Sequence, residues 1–339
     1  MKKALTNLCI TILIGMIALI MLVVIIDPFY HYHAPKSTNL FLYNEVYQSP
    51  GEARHFSYDT VMLGSSMTEN FRPEWFLKYN ENAIVLSYSG ARSKDVGNLL
   101  GEVFKSKNLV KHVYIDLNDY QLCSDPLSTF GEVPLYLYDN NLLTDVKYIF
   151  NKDVIYECID RILNPNTNNF EEAFTWEDPS LFGKDMVLND LNSSHDNQAW
   201  VAQNKIADSI MNETVLANLD NILKYVSENS NTHFSFFYPP YSEAYWYDLN
   251  TRSEVLSKTN MYKASIEELL KYPNVDIFFF MDDYDTICNL ENYRDLCHFC
   301  PAVNHHILDS IKQGKYKITN DNYEERLDTL YKFGTSVTY

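Results

Sequence analysis

Five short, mostly apolar runs, separated by stretches with helical periodicity, restrict this chain more than any other feature. They lie at 60–63, 83–86, 112–115, 233–238 and 275–280. Residues that are apolar at consecutive rather than alternate positions suit strands covered on both faces. Between them the spacing predicts helices. Ile206, Ile210, Leu219, Ile222, Leu223 and Val226 recur at helical intervals before the fourth run, and Ile266, Leu269 and Leu270 before the fifth. Strands alternating with helices are the pattern of βαβ units, so the expected fold is α/β around a mostly parallel, five-stranded sheet. Residues from Tyr120 to about Trp200 do not fit the alternation and are too long for a plain loop; they read as a helical insertion.

Ahead of the first strand, Leu8 to Ile26 carries no charge for about 19 residues, enough at 1.5 Å per residue to cross the hydrocarbon core. The run ends in Asp27-Pro28-Phe29-Tyr30 rather than at a small-residue cleavage site, which predicts an uncleaved transmembrane helix. Lys2 and Lys3, the only charges before it, keep the N-terminus cytoplasmic and send the rest of the chain outward. Phe29, Tyr30 and Tyr32 fall where an interfacial aromatic belt belongs. Residues 1–35 are therefore expected to be anchor and juxtamembrane segment, and His31 to Pro50, with Pro35, Ser37 and Thr38 and no clear period, to be a stalk. Residues 36–339 are expected to form one domain carrying the insertion at about 120–200. A cleaved, secreted form is the alternative.

A formal net charge of -18 offers no basic field for phosphates and argues against nucleic-acid binding. Cys9 lies in the apolar helix, leaving Cys123, Cys158, Cys288, Cys297 and Cys300, an odd set unlike a disulfide framework. The Cys297-x-x-Cys300 pair lacks both the βαβ context of a redox motif and the second ligand pair of a zinc site. No metal or cofactor is expected, because the histidines outside the C-terminal loop have no ligand spacing.

Polar residues that follow strands carry the chemistry in parallel sheets. Ser65 and Ser66 follow the first run, Gly90 the second, Asn118 the third, and Asp295 and His298 the loop after the fifth. A carboxylate three residues before a histidine can hold one imidazole nitrogen and leave the other free to deprotonate a serine. Serine also caps helices, so each residue alone decides little.

Together, Gly64-Ser65-Ser66-Met67-Thr68-Glu69-Asn70, Ser89-Gly90-Ala91, Asp116-Leu117-Asn118-Asp119 and Asp295-Leu296-Cys297-His298 resemble, in order, the four blocks of the SGNH/GDSL hydrolases. The resemblance implies a flavodoxin-like three-layer α/β/α fold and a triad of Ser66, His298 and Asp295. Its oxyanion donors would be the Ser66 and Gly90 backbone and the Asn118 side chain. Two positions depart from the pattern: Ser65 stands where aspartate is usual, and Asp116 where glycine is usual.

The branch most resembled is the membrane-anchored bacterial envelope type, related to D-alanyl transfer and alginate acetylation proteins. It implies an extracytoplasmic esterase or O-acyltransferase acting on acylated glycans or small esters, beside envelope-biosynthesis proteins. A catalytically inactive scaffold or glycan-binding protein is the reading from another class. Tyr238 and Tyr241, at the end of the fourth strand, are the candidates for a substrate wall.

Overall fold

The computed structural model describes residues 2–36, 40–139, 141–167, 176–196 and 208–338. Its helices are α1 (Lys2–Ile26), α2 (Glu45–His55), α3 (Glu74–Leu77), α4 (Ser93–Lys105), α5 (Asp119–Cys123), α6 (Val146–Ile149) and α7 (Lys152–Leu163). They continue with α8 (Lys184–Asp196), α9 (Asp208–Glu228), α10 (Glu243–Thr251), α11 (Val255–Leu269), α12 (Tyr284–Ile287), α13 (Pro301–Lys312) and α14 (Tyr323–Ser336). Ser37, Thr38, Trp200 and Ile206, all used in the sequence reading, lie outside the described residues. The chain divides into two compact units, one of 1–57, 105–107 and 132–173, the other of 58–104, 108–131 and 174–339.

The larger unit is built on strands β1 (Thr60–Gly64), β2 (Ala83–Ser87), β3 (His112–Asp116), β4 (His233–Tyr238), β5 (Val275–Phe279) and β6 (Lys317–Ile318), in the order β2-β1-β3-β4-β5-β6. The first five are parallel, and all five expected strands are present. β6 is antiparallel to β5 and only two residues long, too short to leave a periodic trace in sequence. Every residue of β1 is buried, and burying Val61, Met62 and Leu63 contributes about 1.5–3 kcal/mol each. Register aligns the strand ends: Gly64 lies beside Ser87, Leu63 beside Ile115, Asp116 beside Phe237, and Tyr238 beside Phe279. The loops after the strands therefore leave from one edge. Because the chain passes from β2 over β1 to β3, it changes direction along the sheet between β1 and β3, the place where such folds open a crevice.

In the smaller unit, Leu19, Leu22, Val23 and Ile26 of α1 pack with Phe29, Leu137, Tyr148, Val154 and Cys158. Asp27 closes the helix in a left-handed conformation, φ 45°. Its carboxylate accepts from the His31 N–H at 2.9 Å, the Tyr32 N–H at 2.8 Å, the His33 N–H at 3.0 Å and the Tyr148 hydroxyl at 2.9 Å. This turn folds the chain back on itself, so Phe29 and Tyr30 are buried in the unit's own core. That corrects the expectation of an interfacial belt for these two residues. α2 occupies part of the expected stalk. Gly51 permits it, since a Cβ there would stand 2.4 Å from the Phe29 carbonyl oxygen.

Candidate active site

β1 ends at Gly64, where a Cβ would lie 2.0 Å from the Asp116 carboxylate, so glycine alone fits. Ser65 is buried behind it and Ser66 is half-buried in front. The Ser66 Oγ lies 2.9 Å from His298 Nε2, although 232 residues separate them. On the other side of the ring, His298 Nδ1 is 2.7 Å from Asp295 Oδ2. Asp295 Oδ1 accepts from the backbone N–H groups of His298 at 2.7 Å and Cys297 at 2.9 Å. Burial pushes the Asp295 carboxyl up, but the His298 ring and these two N–H groups outweigh it and hold it below the usual carboxylate range. An ionised carboxylate only accepts, so Nδ1 carries the proton and Nε2 is left to accept from the Ser66 hydroxyl.

The loop that carries Asp295 and His298 is a tight hairpin. Tyr293 pairs with Phe299, the Arg294 N–H donates to the His298 carbonyl at 3.0 Å, and Ser242 Oγ donates to the Leu296 carbonyl at 2.8 Å. α13 begins just beyond it, opened by Pro301, and its Asn304 amide donates to the Met67 carbonyl at 2.8 Å, tying this helix to the Ser66 loop. Trp176 stands edge-on to the His298 ring, centroids 4.9 Å apart, and the Arg294 guanidinium lies over the Trp176 ring at 4.9 Å.

Neither the Ser66 nor the Gly90 backbone N–H donates to an acceptor among the described residues. Gly90 has φ +75°, and its missing side chain leaves room for the Phe130 ring. Asn118 is arranged differently. Its amide nitrogen donates to Ser65 Oγ at 2.7 Å and to Asp116 Oδ2 at 2.8 Å, leaving neither hydrogen for a third acceptor. Its Oδ1 caps α5 through the Gln121 N–H at 2.9 Å.

The hub of this layer is Asp116, which sequence reasoning passed over as a mere departure from pattern. Its wholly buried carboxylate accepts from the Ser65 N–H at 3.2 Å, Ser65 Oγ at 2.9 Å, Asn118 Nδ2 at 2.8 Å and Gln121 Nε2 at 2.9 Å. Burial nevertheless leaves its carboxyl above the ordinary value. The signal in the sequence was the pair of departures: the acid usual at position 65 is absent and one appears at 116.

A cavity of about 450 Å³ opens over these groups, walled by Ser65, Ser66, Gly90, Asn118, Tyr241, Tyr245, Cys297 and His298 among others. Tyr241 lines it, and its hydroxyl accepts from the Asp119 N–H at 3.1 Å. Tyr238 is elsewhere. As the last residue of β4 its ring packs on Tyr262 and Phe279, and its hydroxyl meets Ser265 Oγ at 2.6 Å. Beneath the cavity Asp119 accepts from the Tyr245 and Tyr262 hydroxyls and pairs with Lys258 at 2.7 Å. Burial pushes the Cys297 thiol well up, so it stays neutral. Glu69, bonded to Ser89 near the same ring, is pushed by burial to about 7.

No family model matches this chain, and no curated protein matches it. Ten chains of known structure do. One, from Streptococcus pneumonia and provisionally named a platelet activating factor, has a TM-score of 0.42 and 12% identity, covering 79% of this chain and 90% of its own.

Proposed function

We propose that this chain is a membrane-anchored serine esterase or O-acyltransferase of the SGNH type, acting outside the cytoplasm on ester groups of cell-envelope glycans. The observation that carries the reading is the unbroken relay from Ser66 Oγ through His298 to Asp295, with hydrogen bonds of 2.9 and 2.7 Å. In the proposed mechanism His298 takes the Ser66 proton as Oγ attacks an ester carbonyl. The free Ser66 and Gly90 N–H groups receive the developing oxyanion, and an acyl-enzyme forms as the alcohol leaves with the proton from His298. Water then completes hydrolysis, or a glycan hydroxyl completes transfer.

Strand order β2-β1-β3-β4-β5 supports the flavodoxin-like, three-layer form of the fold, and the Ser66 crevice lies at its switch point. The anchor reading is supported by the packing of Leu19, Leu22, Val23 and Ile26 into the smaller unit's core, which cleavage after the apolar run would leave with a hole. Asn118 enters as a positioning group rather than an oxyanion donor, and Tyr241 but not Tyr238 as substrate wall.

The test is turnover of p-nitrophenyl acetate by the purified full-length chain and by Ser66→Ala. The reading expects turnover that the substitution abolishes. Equal turnover in both removes Ser66 from the chemistry, and no turnover in either favours the inactive scaffold.

A further inference from the structure

α7 is built inside out for a helix bathed in water. Its apolar residues Val154 and Cys158 pack on α1, as expected. Its polar residues also turn inward: Asp160 accepts from the Tyr43 hydroxyl at 2.6 Å, and the Arg161 guanidinium lies over the Phe41 ring at 4.1 Å. What remains outside is Tyr156, Ile159, Ile162 and Leu163, exposed by 66, 48, 52 and 72% and spaced three, three and one residues apart along one stripe. Its exposed charges, Lys152 and Asp153, are confined to the first turn.

The segment around the neighbouring α6, residues 142–150, repeats the pattern in part, although its Lys147 is exposed. Asp145 is buried against His31 at 3.2 Å, whereas Leu142, Leu143, Val146 and Phe150 face outward, the two leucines by 80 and 84%. Isolated exposed hydrophobes are ordinary; two adjacent helical segments whose exposed residues are mainly apolar, with Lys147, Lys152 and Asp153 the exposed charges among them, are not.

We propose that α6 and α7 form a collar that lies in the lipid leaflet from which α1 emerges, with this apolar stripe in contact with acyl chains. The occupant follows from continuity. Both helices pack beside α1, whose exposed residues from Leu8 to Ile25 are uncharged and, but for Thr11, apolar, and they meet it between Leu19 and Ile26. That interval is about 10 Å of helix rise, matching the depth of about 5–10 Å at which interfacial helices lie. The proposal rests on the reading of α1 as a membrane anchor. Its consequence for function is that the smaller unit is held at the membrane surface by three helices rather than hung from one.

The test uses the full-length chain in vesicles of phosphatidylcholine and phosphatidylglycerol, with tryptophan introduced by Ile159→Trp, Leu163→Trp or, as a solvent control, Leu109→Trp, 86% exposed in the larger unit. Vesicle flotation reports on the anchor, and quenching of the added emission by lipids with brominated acyl chains reports on the collar. The proposal expects flotation, with the emission added at 159 and 163 lost largely to brominated lipid and that at 109 quenched by aqueous acrylamide instead. Flotation with 159 and 163 open to acrylamide overturns the collar and leaves the anchor standing. Protection of 159 and 163 in native membranes but not in pure lipid also overturns it, in favour of an integral membrane protein on this face. Failure to float removes the anchor and the collar together.

Discussion

Replacing Ser65 by aspartate would give the chain the residue usual for the family it resembles, yet the structure makes it a damaging change. Ser65 Oγ lies 2.9 Å from Asp116 Oδ2, so a carboxylate at 65 would face a second one at about 4 Å in wholly buried surroundings. At an effective dielectric constant of about 20, two like charges at that distance cost about 4 kcal/mol. Protonating one of them sets a ceiling: from a carboxyl value near 4, at about 1.4 kcal/mol per unit, it also comes to about 4 kcal/mol at pH 7 but only about 1.5 at pH 5. Ser65→Asp is therefore expected to lose about 4 kcal/mol of stability at pH 7 and to recover on acidification. Asp116→Asn alone turns an amide toward groups that donate, which costs about 1–3 kcal/mol. In the double variant a carboxylate at 65 accepts from an amide at 116, and the two changes together should cost about 3 kcal/mol less than their sum. Urea unfolding followed by tryptophan emission measures stability, and the rate at which a fluorophosphonate labels Ser66 reports whether the site survives. Additivity within about 0.5 kcal/mol, or a Ser65→Asp deficit that does not shrink at pH 5, would refute the role given to Asp116.

Glu52 is wholly buried in α2, and burial raises its carboxyl from 4.5 to about 8. The folded chain then holds a proton across that window that the unfolded chain releases, so stability falls as pH rises from about 4.5 to 8, by at most about 1.4 kcal/mol per unit. Glu52→Gln should flatten this slope in melting curves at pH 5 and 8; an unchanged difference between the two temperatures would contradict it. Asp295→Asn keeps the shape but removes the charge that holds the His298 tautomer, and it should lower esterase turnover by about 10³–10⁴-fold with little change in melting temperature. A variant within tenfold of the parent would leave Asp295 without a part in the relay. Gly90→Ala forces a Cβ into a backbone of φ +75°, at a cost of about 1–2 kcal/mol, and to within 2.4 Å of the Phe130 ring. Full activity in that variant would show that the Gly90 N–H need not hold its position.

What was legible in the sequence follows the range over which each signal acts. The five parallel strands were readable because their residues are mostly covered on both faces, so apolar residues dominate at consecutive positions. β6 was not, because two residues paired to an edge carry no period. The relay was readable through Asp295 and His298, whose spacing is local, and through Ser66 by its place after a strand. Asp116 was not, since its partner Ser65 is 51 residues away and a buried carboxylate looks in sequence like any loop acid. Tyr238 and Tyr241 looked alike as neighbours beyond a strand. The pleat turns Tyr238 toward Tyr262 and Phe279, whereas Tyr241 lies past the strand and faces the cavity. The smaller unit was the least legible part. Pro50 and Gly51 disguise α2, and α7 presents Tyr156, Ile159, Ile162 and Leu163 outward, so its fully buried apolar residues are only Val154 and Cys158, with Ile155 partly buried beside them.

The role proposed for Ser66 admits the most direct test. Full-length protein mixed with an activated acetyl ester, quenched in acid within the first turnovers and digested for peptide mass spectrometry, is expected to carry the acyl group on Ser66, in an amount that rises as a burst. An acyl group found only on another residue, or no covalent adduct while the ester is being consumed, would contradict the account at its centre.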